Sequence, residues 1–220
     1  MFCDEQKTTK DDIIVILGDA GINYNADISD FSLKQKLNKM PISFFCIHGN
    51  HEIRPQNISS YDYAGVPDFG TVLREPEFPN IMFGIDGYVY NLGGHESVVI
   101  GGAYSVDKYY RLMRGAKWFA DEQPSDETKR FVEKTIRNFG NSIELVLSHT
   151  CPAKYIPTEM FLPGVDQSTV DNSTEEWLGQ IEESLTYKLW LCGHYHTDKS
   201  IDKMRFMFND IICLEDLLCQ

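Results

Sequence analysis

Four short motifs, each close after an apolar run, constrain the fold of this chain more than any other feature. They are Gly18-Asp19, Gly49-Asn50-His51-Glu52, His149, and Gly193-His194-Tyr195-His196. The runs before them, DIIVIL, ISFFCI, IELVLS and YKLWLC, have the length and composition of buried strands. In α/β sheets, sites form beyond the carboxyl ends of the strands. We therefore expect all four motifs to contribute to one site.

The residue types in these motifs indicate a metal site. The predicted ligands are one carboxylate, one amide and three imidazoles: Asp19, Asn50, His149, His194 and His196. Hard oxygen and borderline nitrogen ligands together suit Mn, Fe or Zn better than Mg or Ca. One or two such divalent ions support metal-assisted hydrolysis.

Length and charge limit the class of protein. A chain of 220 residues with 42% hydrophobic residues can build one sizeable domain, which we place at residues 1–220. The net charge of −13 argues against stable binding to nucleic acid, whose phosphates need a basic surface. A small-molecule or protein phosphoester remains compatible with this charge, because a metal supplies local positive charge.

Cysteine usage and hydropathy indicate a cytoplasmic protein without membrane contact. The six cysteines are scattered and contain no CxxC pair, so we expect them to be reduced. No apolar run approaches the roughly 20 residues that cross a bilayer, and the N-terminus has no apolar core of a signal peptide.

The order of elements predicts an α/β fold. Strands are expected at 13–17, 42–47, 81–92, 95–104, 143–148, 187–192 and 205–214. Helices are expected at 31–39 after a Ser29-Asp30 cap, at 126–139 after Ser125, and at 173–185 with a capping box of Ser173 and Glu176. Residues 53–80, with a short strand near TVL, 106–124 and 152–172 are expected to be mainly irregular. This mixed order predicts a four-layer αββα sandwich of two mixed β-sheets flanked by helices.

These motifs, in this order, resemble those of the calcineurin-like metallophosphoesterase family. The segment GGAYSVDKYYR (101–111) is also similar to one in small bacterial and phage members. The resemblance implies hydrolysis of a phosphomono- or phosphodiester by a metal-activated hydroxide. It also implies a metallophosphoesterase-like fold over about residues 13–200.

The resemblance implies a role for each site residue. Asp19 would bridge two metal ions, and His196 would bind the first of them. Asn50, His149 and His194 would complete the shell of the second. The resemblance assigns two further side chains to catalysis: His51 would face the phosphate and stabilise or protonate the leaving oxygen, and Arg111 would clamp the oxyanion at the pocket rim.

One family motif has no counterpart in this sequence. Relatives carry D-x-H on a strand before the GD strand, and only twelve residues precede Ile13, with no His among them. Two explanations stay open, and both leave the first strand of the family fold missing here. The first explanation is that the sequence lacks its N-terminal segment. The likeness of FCDEQKTTKDD to the helix and turn after D-x-H-G in relatives favours this explanation. Otherwise the protein is a variant with one metal or none, acting as a non-catalytic binding or regulatory module.

Other interpretations compete residue by residue. Asp19 and Asn50-His51 are also typical of turns, and Arg111 also suits a solvated loop where it pairs with Asp107 or Asp121. The spacing of His194 and His196 suits an extended segment that points both to one side. We expect His48 to be structural, His95 to lie on the surface, and Trp118 and Phe119 to cover the core rather than stack on a substrate base.

Overall fold

Two mixed β-sheets form the interior of the computed structural model, which describes residues 2–219. The strands are β1 (Ile13–Ile16), β2 (Ser43–Cys46), β3 (Asp62–Val66), β4 (Gly70–Arg74), β5 (Ile81–Phe83), β6 (Val89–Leu92), β7 (His95–Ile100), β8 (Leu145–Ser148), β9 (Leu189–Cys192), β10 (Lys199–Ile201) and β11 (Met204–Phe206). The first sheet has the order β1-β2-β5-β4-β3, and the second β10-β11-β9-β8-β7-β6. The four predicted motif strands are therefore split evenly between the two sheets.

Parallel pairing at the centre of each sheet brings the motifs to one end. In the first sheet β1, β2 and β5 are parallel, and β4 and β3 follow antiparallel. In the second, β7, β8, β9 and β11 are parallel, with antiparallel β6 and β10 outside them. Parallel neighbours present their carboxyl ends at the same edge of a sheet.

The structure describes six helices, of which the first, second, fourth and fifth pack on the outer faces of the sheets. They are α1 (Phe2–Gln6), α2 (Ile28–Asn38), α3 (Lys108–Arg114), α4 (Asp126–Asn138), α5 (Ser173–Ser184) and α6 (Leu214–Leu218). Short 3-10 turns lie at Pro55–Asn57, Ala153–Tyr155, Thr158–Met160 and Gln167–Thr169. Among the described helices, none combines the length and apolarity that a membrane span requires.

Three apolar clusters define the layers and confirm the predicted αββα sandwich. Phe45, Tyr90 and Leu191 belong to the cluster between the two sheets. Phe31 of α2 packs with the outer face of the first sheet. A third cluster joins α4 and α5 to the outer face of the second sheet, with Trp190 fully buried within it.

Several predicted loops are regular structure. Within residues 53–80, β4 confirms the predicted short strand near TVL, and β3 pairs with it in a hairpin that extends the first sheet. Residues 106–124 contain helix α3. The predicted strand 81–92 is two strands, since β5 lies in the first sheet and β6 in the second. The predicted strand 205–214 is shorter in the structure, where Met204–Phe206 forms β11. Strand β10 precedes it and pairs with it.

Helix boundaries differ from the predicted ones where capping was misassigned. Helix α2 begins at Ile28, because the Asp27 side chain accepts from Ser29 N. Helix α5 has Asn172 at its N-cap, so the predicted capping box of Ser173 and Glu176 is wrong. Ser125 does cap α4 by accepting from Thr128 N.

The apolar residues of α4 and its C-cap differ in burial: Phe131 and Phe139 are 41% and 38% exposed. Val132 and Ile136 are the buried residues of this helix.

Candidate metal and active site

Asp19 lies at the tip of a tight turn after β1. Gly18 and Asp19 have φ angles of 97° and 53°, in the left-handed region that glycine tolerates best. The Asp19 carboxylate accepts from the backbone N–H of His51 at 2.8 Å. The turns after the neighbouring parallel strands β1 and β2 are thus joined directly through the site.

The two turns pack so closely that Gly49 has no room for a side chain. A Cβ added at Gly49 would lie 2.1 Å from Asp19 Oδ1 and 2.2 Å from Asp19 N. We expect Gly49→Ala to push Asp19 away, lowering Mn²⁺ affinity at least about tenfold and stability by about 1–3 kcal/mol. Mn²⁺ titration and urea denaturation measure both effects.

Gly179→Ala is the matched control, because the nearest atom to its added Cβ is 3.9 Å away. Gly179 lies inside α5, where alanine is the better helix former, so this change should be neutral or slightly stabilising. Equal behaviour of the two variants would contradict the close packing of the turns.

The side chain of Asn50, which follows a strand of the first sheet, contacts two histidines that follow strands of the second sheet. Its Oδ1 lies 2.8 Å from His149 Nε2 and 3.1 Å from His194 Nδ1. Asp19 Oδ2 lies 3.5 Å from the same His149 Nε2. Four of the five predicted ligands, Asp19, Asn50, His149 and His194, therefore lie within one small volume.

The hydrogen-bond partners of His149 indicate that this volume attracts a positive charge. His149 Nδ1 lies 2.7 Å from the carbonyl oxygen of Leu17, which can only accept, so Nδ1 carries a proton. In the neutral ring, Nε2 therefore directs a lone pair at Asn50 Oδ1, also an acceptor, and towards the Asp19 carboxylate. A positive charge between these atoms, as a proton or a metal cation, removes the conflict.

A chain of buried hydrogen bonds fixes the orientation of the Asn50 side-chain amide. Asn50 Nδ2 donates to Ser105 Oγ at 2.8 Å, and Ser105 Oγ donates to Glu122 Oε2 at 2.5 Å. Trp118 Nε1 donates to the same Glu122 oxygen at 2.8 Å. Because Glu122 and Ser105 are almost fully buried, this chain of hydrogen bonds holds Oδ1 towards the imidazoles.

Removing the Ser105 hydroxyl should loosen this orientation. We expect Ser105→Ala to weaken Mn²⁺ binding about 10-fold or more, the effect typical of a partner that orients a metal ligand. Ser97→Ala is the control: Ser97 is equally buried and donates to His95 O, away from the site. A direct Mn²⁺ titration is the measurement, and equal affinities in the two variants would refute the orienting role.

Charge and burial act together on the ionisable groups. Burial opposes ionisation of Asp19, but the charge of His149 and the hydrogen bond with it dominate and hold the pKa of Asp19 well below its usual value. Burial also opposes protonation of His149, yet the Asp19 carboxylate prevails and raises the pKa of His149. Burial and the charge of His149 lower the pKa of His194 to about 3, so this ring is neutral and free to donate a lone pair.

His196 is placed less closely than predicted. It lines the same cleft as Asp19 and His194, but its ring stacks on Phe208 with centroids 4.8 Å apart. Across residues 2–219, no hydrogen bond joins His196 to the other four predicted ligands. The expectation of an extended segment was also wrong, because His194 and His196 have φ angles of 65° and 50°.

The distances between these donors fit the coordination sphere of a metal ion. Ligands on an octahedral sphere with bonds of about 2.0–2.2 Å lie about 3 Å apart, close to the distances around Asn50. Counting only His, Cys, Asp and Glu, residues 2–219 hold no group of three placed to enclose a metal ion. The amide oxygen of Asn50, which contacts both imidazoles, is therefore needed to complete a metal-binding set of ligands. This set of ligands suits one ion.

The two predicted catalytic residues lie side by side at the edge of this cluster. Arg111 Nη2 approaches His51 Nε2 at 3.3 Å, while Arg111 Nε donates to Asp107 at 2.7 Å. The alternative interpretation of Arg111, pairing with Asp107, is thus also present. Tyr24 OH lies 3.4 Å from Arg111 Nη1.

Some assignments outside the cluster agree with the sequence, and others do not. His48 is buried, with Nε2 3.2 Å from Glu52 O, as a structural residue should be. His95 pairs with Glu144 and is partly exposed. Trp118 and Phe119 are half-buried rather than core residues.

The positioning pair of Ser105 and Glu122 was missed by sequence reasoning. Ser105 lies inside the segment GGAYSVDKYYR, and that likeness was the signal that could have found it. No motif marks Glu122.

Fold and site together define a class: two-sheet α/β proteins whose strand ends gather oxygen and nitrogen donors at one point. The family model described as calcineurin-like phosphoesterase matches residues 3–198 of this chain. The chain belongs to the calcineurin-like phosphoesterase family, a family of metal-dependent phosphoester hydrolases. No match was found among the curated proteins or among the solved structures compared with it.

Proposed function

We propose that this protein is a metal-dependent phosphoesterase that hydrolyses a phosphomono- or phosphodiester. The single observation that carries the proposal is the approach of His149 Nε2 to Asn50 Oδ1 at 2.8 Å, with Asp19 Oδ2 3.5 Å from the same nitrogen. Such a point attracts a cation, and its oxygen and nitrogen donors suit Mn, Fe or Zn.

Each residue around this point has a definable task. Asp19, Asn50, His149 and His194 would hold the ion, and Leu17 and Ser105 would orient two of these ligands. A bound divalent ion supplies Lewis acidity towards the phosphoryl oxygens and a nucleophile from water. The chain itself must bind the phosphoryl group, orient it and stabilise the leaving oxygen.

His51 and Arg111 are placed to perform these remaining tasks. The guanidinium donates towards His51 Nε2, so that in the neutral ring Nδ1 carries the proton. Burial lowers the pKa of His51. The Asp19 carboxylate opposes this shift with a smaller effect, and the positive charge of Arg111 adds to it. A phosphoryl oxygen that replaces His51 as the partner of Arg111 would leave the imidazole free to face the leaving group.

Arg111 should therefore affect substrate binding more than turnover. We expect Arg111→Gln to raise KM about 10-fold, the effect of one charge-assisted hydrogen bond to an anion, with a smaller change in kcat. Arg114→Gln is the matched control, since Arg114 lies three residues along α3 and stacks on exposed Tyr110. Steady-state kinetics separate the two constants, and an unchanged KM would remove Arg111 from the site.

The substrate proposed here is a small-molecule or protein phosphoester. Support comes from the net charge of −13, which repels long nucleic acids. Basic side chains nevertheless concentrate near the site, on α3 and just after it, at Lys108, Arg111, Arg114 and Lys117. This local concentration suits one or two phosphate groups.

Hydrolysis of p-nitrophenyl phosphate and of bis-p-nitrophenyl phosphate tests the proposed function. The purified chain is assayed with Mn²⁺, with Zn²⁺ and after EDTA treatment. We expect release of p-nitrophenol from one of the esters with metal, and its loss with EDTA. Metal binding without turnover of either ester would favour the alternative, a metal-binding regulatory module, which the separate position of His196 also favours.

A further inference from the structure

Arg54 is a largely buried arginine outside the predicted set of site residues. It lies two residues after the Gly49–Glu52 motif, and its side chain is 12% exposed. Its Nη1 pairs with Asp86 Oδ2 at 2.8 Å, and its Nε donates to the backbone carbonyl of Asp121 at 2.8 Å. A guanidinium presents its donors in a rigid planar fork, so these two bonds fix the positions of both partners relative to each other.

The bond to the Asp121 carbonyl places Glu122, which is the next residue. The Glu122 carboxylate accepts from the backbone N–H of Ser105 at 3.1 Å and from its hydroxyl at 2.5 Å. The Ser105 hydroxyl in turn accepts from Asn50 Nδ2 at 2.8 Å. A shift in the backbone of Asp121 would therefore move the carboxylate that orients the amide of Asn50.

The bond to Asp86 reaches the segment that carries Ser105. Asp86 Oδ1 accepts from the backbone N–H of Gly101 at 2.6 Å, and Gly101 lies directly after β7, four residues before Ser105. A Cβ added at Gly102 would lie 2.3 Å from Glu122 O, so this segment packs directly against the segment of Glu122. The two bonds of one guanidinium thus hold both members of the pair that orients the amide.

We propose that Arg54 is a positioning residue of the candidate metal site, which clamps the segments of Glu122 and Ser105 together and thereby aims Asn50 Oδ1 at the two imidazoles. Lysine cannot take over this task, because its ammonium is a point charge on a flexible stem and does not fix two partners in one geometry. The consequence for metal affinity rests on the proposed role of Asn50 as a ligand. The consequence for the orientation of the amide does not.

Side-chain amide exchange in the metal-free protein, measured by NMR, tests the orientation. Arg54→Lys keeps a positive charge beside Asp86, so the buried carboxylate is not left unpaired. We expect the Nδ2 hydrogens of Asn50 to exchange at least about threefold faster in this variant, because their hydrogen bond opens more often. The side-chain amide of Asn80, which donates to Asn38 Oδ1 at 3.0 Å, is the internal control and should keep its rate.

Mn²⁺ titration tests whether Arg54 acts through Ser105. In the wild-type background, Arg54→Lys should weaken Mn²⁺ binding about threefold or more, but by no more than Ser105→Ala does. In the Ser105→Ala background, the same change should have less than about a twofold effect, because the link to Asn50 is already lost. A purely structural role predicts the full effect in both backgrounds, and that result would overturn the proposal.

Lys34→Arg is the matched control, because it exchanges the same two residue types in an ion pair of similar burial on α2. Lys34 Nζ lies 2.6 Å from Glu75, and the two side chains are 7% and 12% exposed. This change should leave Mn²⁺ affinity and the exchange of the Asn50 amide at their wild-type values. Wild-type exchange of that amide in Arg54→Lys would refute the positioning role. A wild-type protein that binds no Mn²⁺ would instead refute the proposed metal site, and the exchange rates would still decide the role of Arg54.

Discussion

Asp19→Asn is expected to lower Mn²⁺ affinity at least about 100-fold and to reduce metal-dependent ester hydrolysis by about 10²–10³-fold. The change keeps the shape of the side chain and an oxygen that can accept from His51 N–H. It removes the negative charge that holds the pKa of His149 above its usual value and attracts a cation to Asn50 Oδ1. Bound metal, measured on dialysed protein by mass spectrometry, and the rate of ester hydrolysis check the two effects separately.

Asp62→Asn provides the control for the loss of one carboxylate. Asp62 begins β3 at the far edge of the first sheet and is exposed. Its replacement should leave metal content and rate unchanged. Metal binding at the wild-type level in Asp19→Asn would show that Asp19 is not a ligand and that the ion is held elsewhere.

Phe45→Ala is expected to destabilise the protein by about 3–5 kcal/mol, the usual cost of removing a fully buried phenylalanine. The Phe45 ring is completely buried between the sheets, with centroids 4.9 Å from Phe69 and 4.8 Å from Tyr90. Because the interior is close-packed, removing the ring leaves a cavity that the surrounding side chains fill only partly. Urea denaturation of the two proteins measures the change in the free energy of unfolding.

Phe139→Ala removes the same ring from the end of α4, where it is 38% exposed, and should cost far less. A loss below about 1 kcal/mol for Phe45→Ala would mean that the sheets do not pack through this residue. Because β2 leads directly into the turn of Asn50 and His51, partial loss of metal binding should accompany the loss of stability.

The sequence predicted that Asp19, Asn50, His149 and His194 would lie close together because strand ends repeat a simple geometry. Asp19 and Asn50 follow adjacent parallel strands of one sheet, and His149 and His194 follow adjacent parallel strands of the other. Apolar runs identified these strands, and the short motifs identified their ends. The meeting of the two sheets at Asn50 Oδ1 needed coordinates, since residues 50 and 194 are joined by no local pattern.

Positioning residues could not be predicted in the same way. Glu122 acts on Asn50 only through Ser105, and it comes from an irregular segment with no periodic pattern. A buried carboxylate of this kind is recognised only by the partners it finds in three dimensions, here Ser105 and Trp118. The backbone of His194 was misjudged for a related reason, because alternation of polar residues does not reveal a positive φ angle.

Local sequence also concealed parts of the fold. The TVL segment indicated β4, but β3 lies among prolines and turn residues, and the pairing of β4 with β5 supplies stability that the local sequence of the hairpin lacks. Helix α3 carries exposed Tyr109, Tyr110 and Met113, so no apolar stripe marks it as a helix. In both cases tertiary context decides the structure.

Crystals of the protein soaked in Mn²⁺ and measured near the manganese absorption edge test the proposed metal centre most directly. An anomalous difference peak within bonding distance of Asp19, Asn50, His149 and His194 is the predicted result. No peak among these four side chains, with manganese absent or bound elsewhere, would contradict a metal-dependent site in this protein.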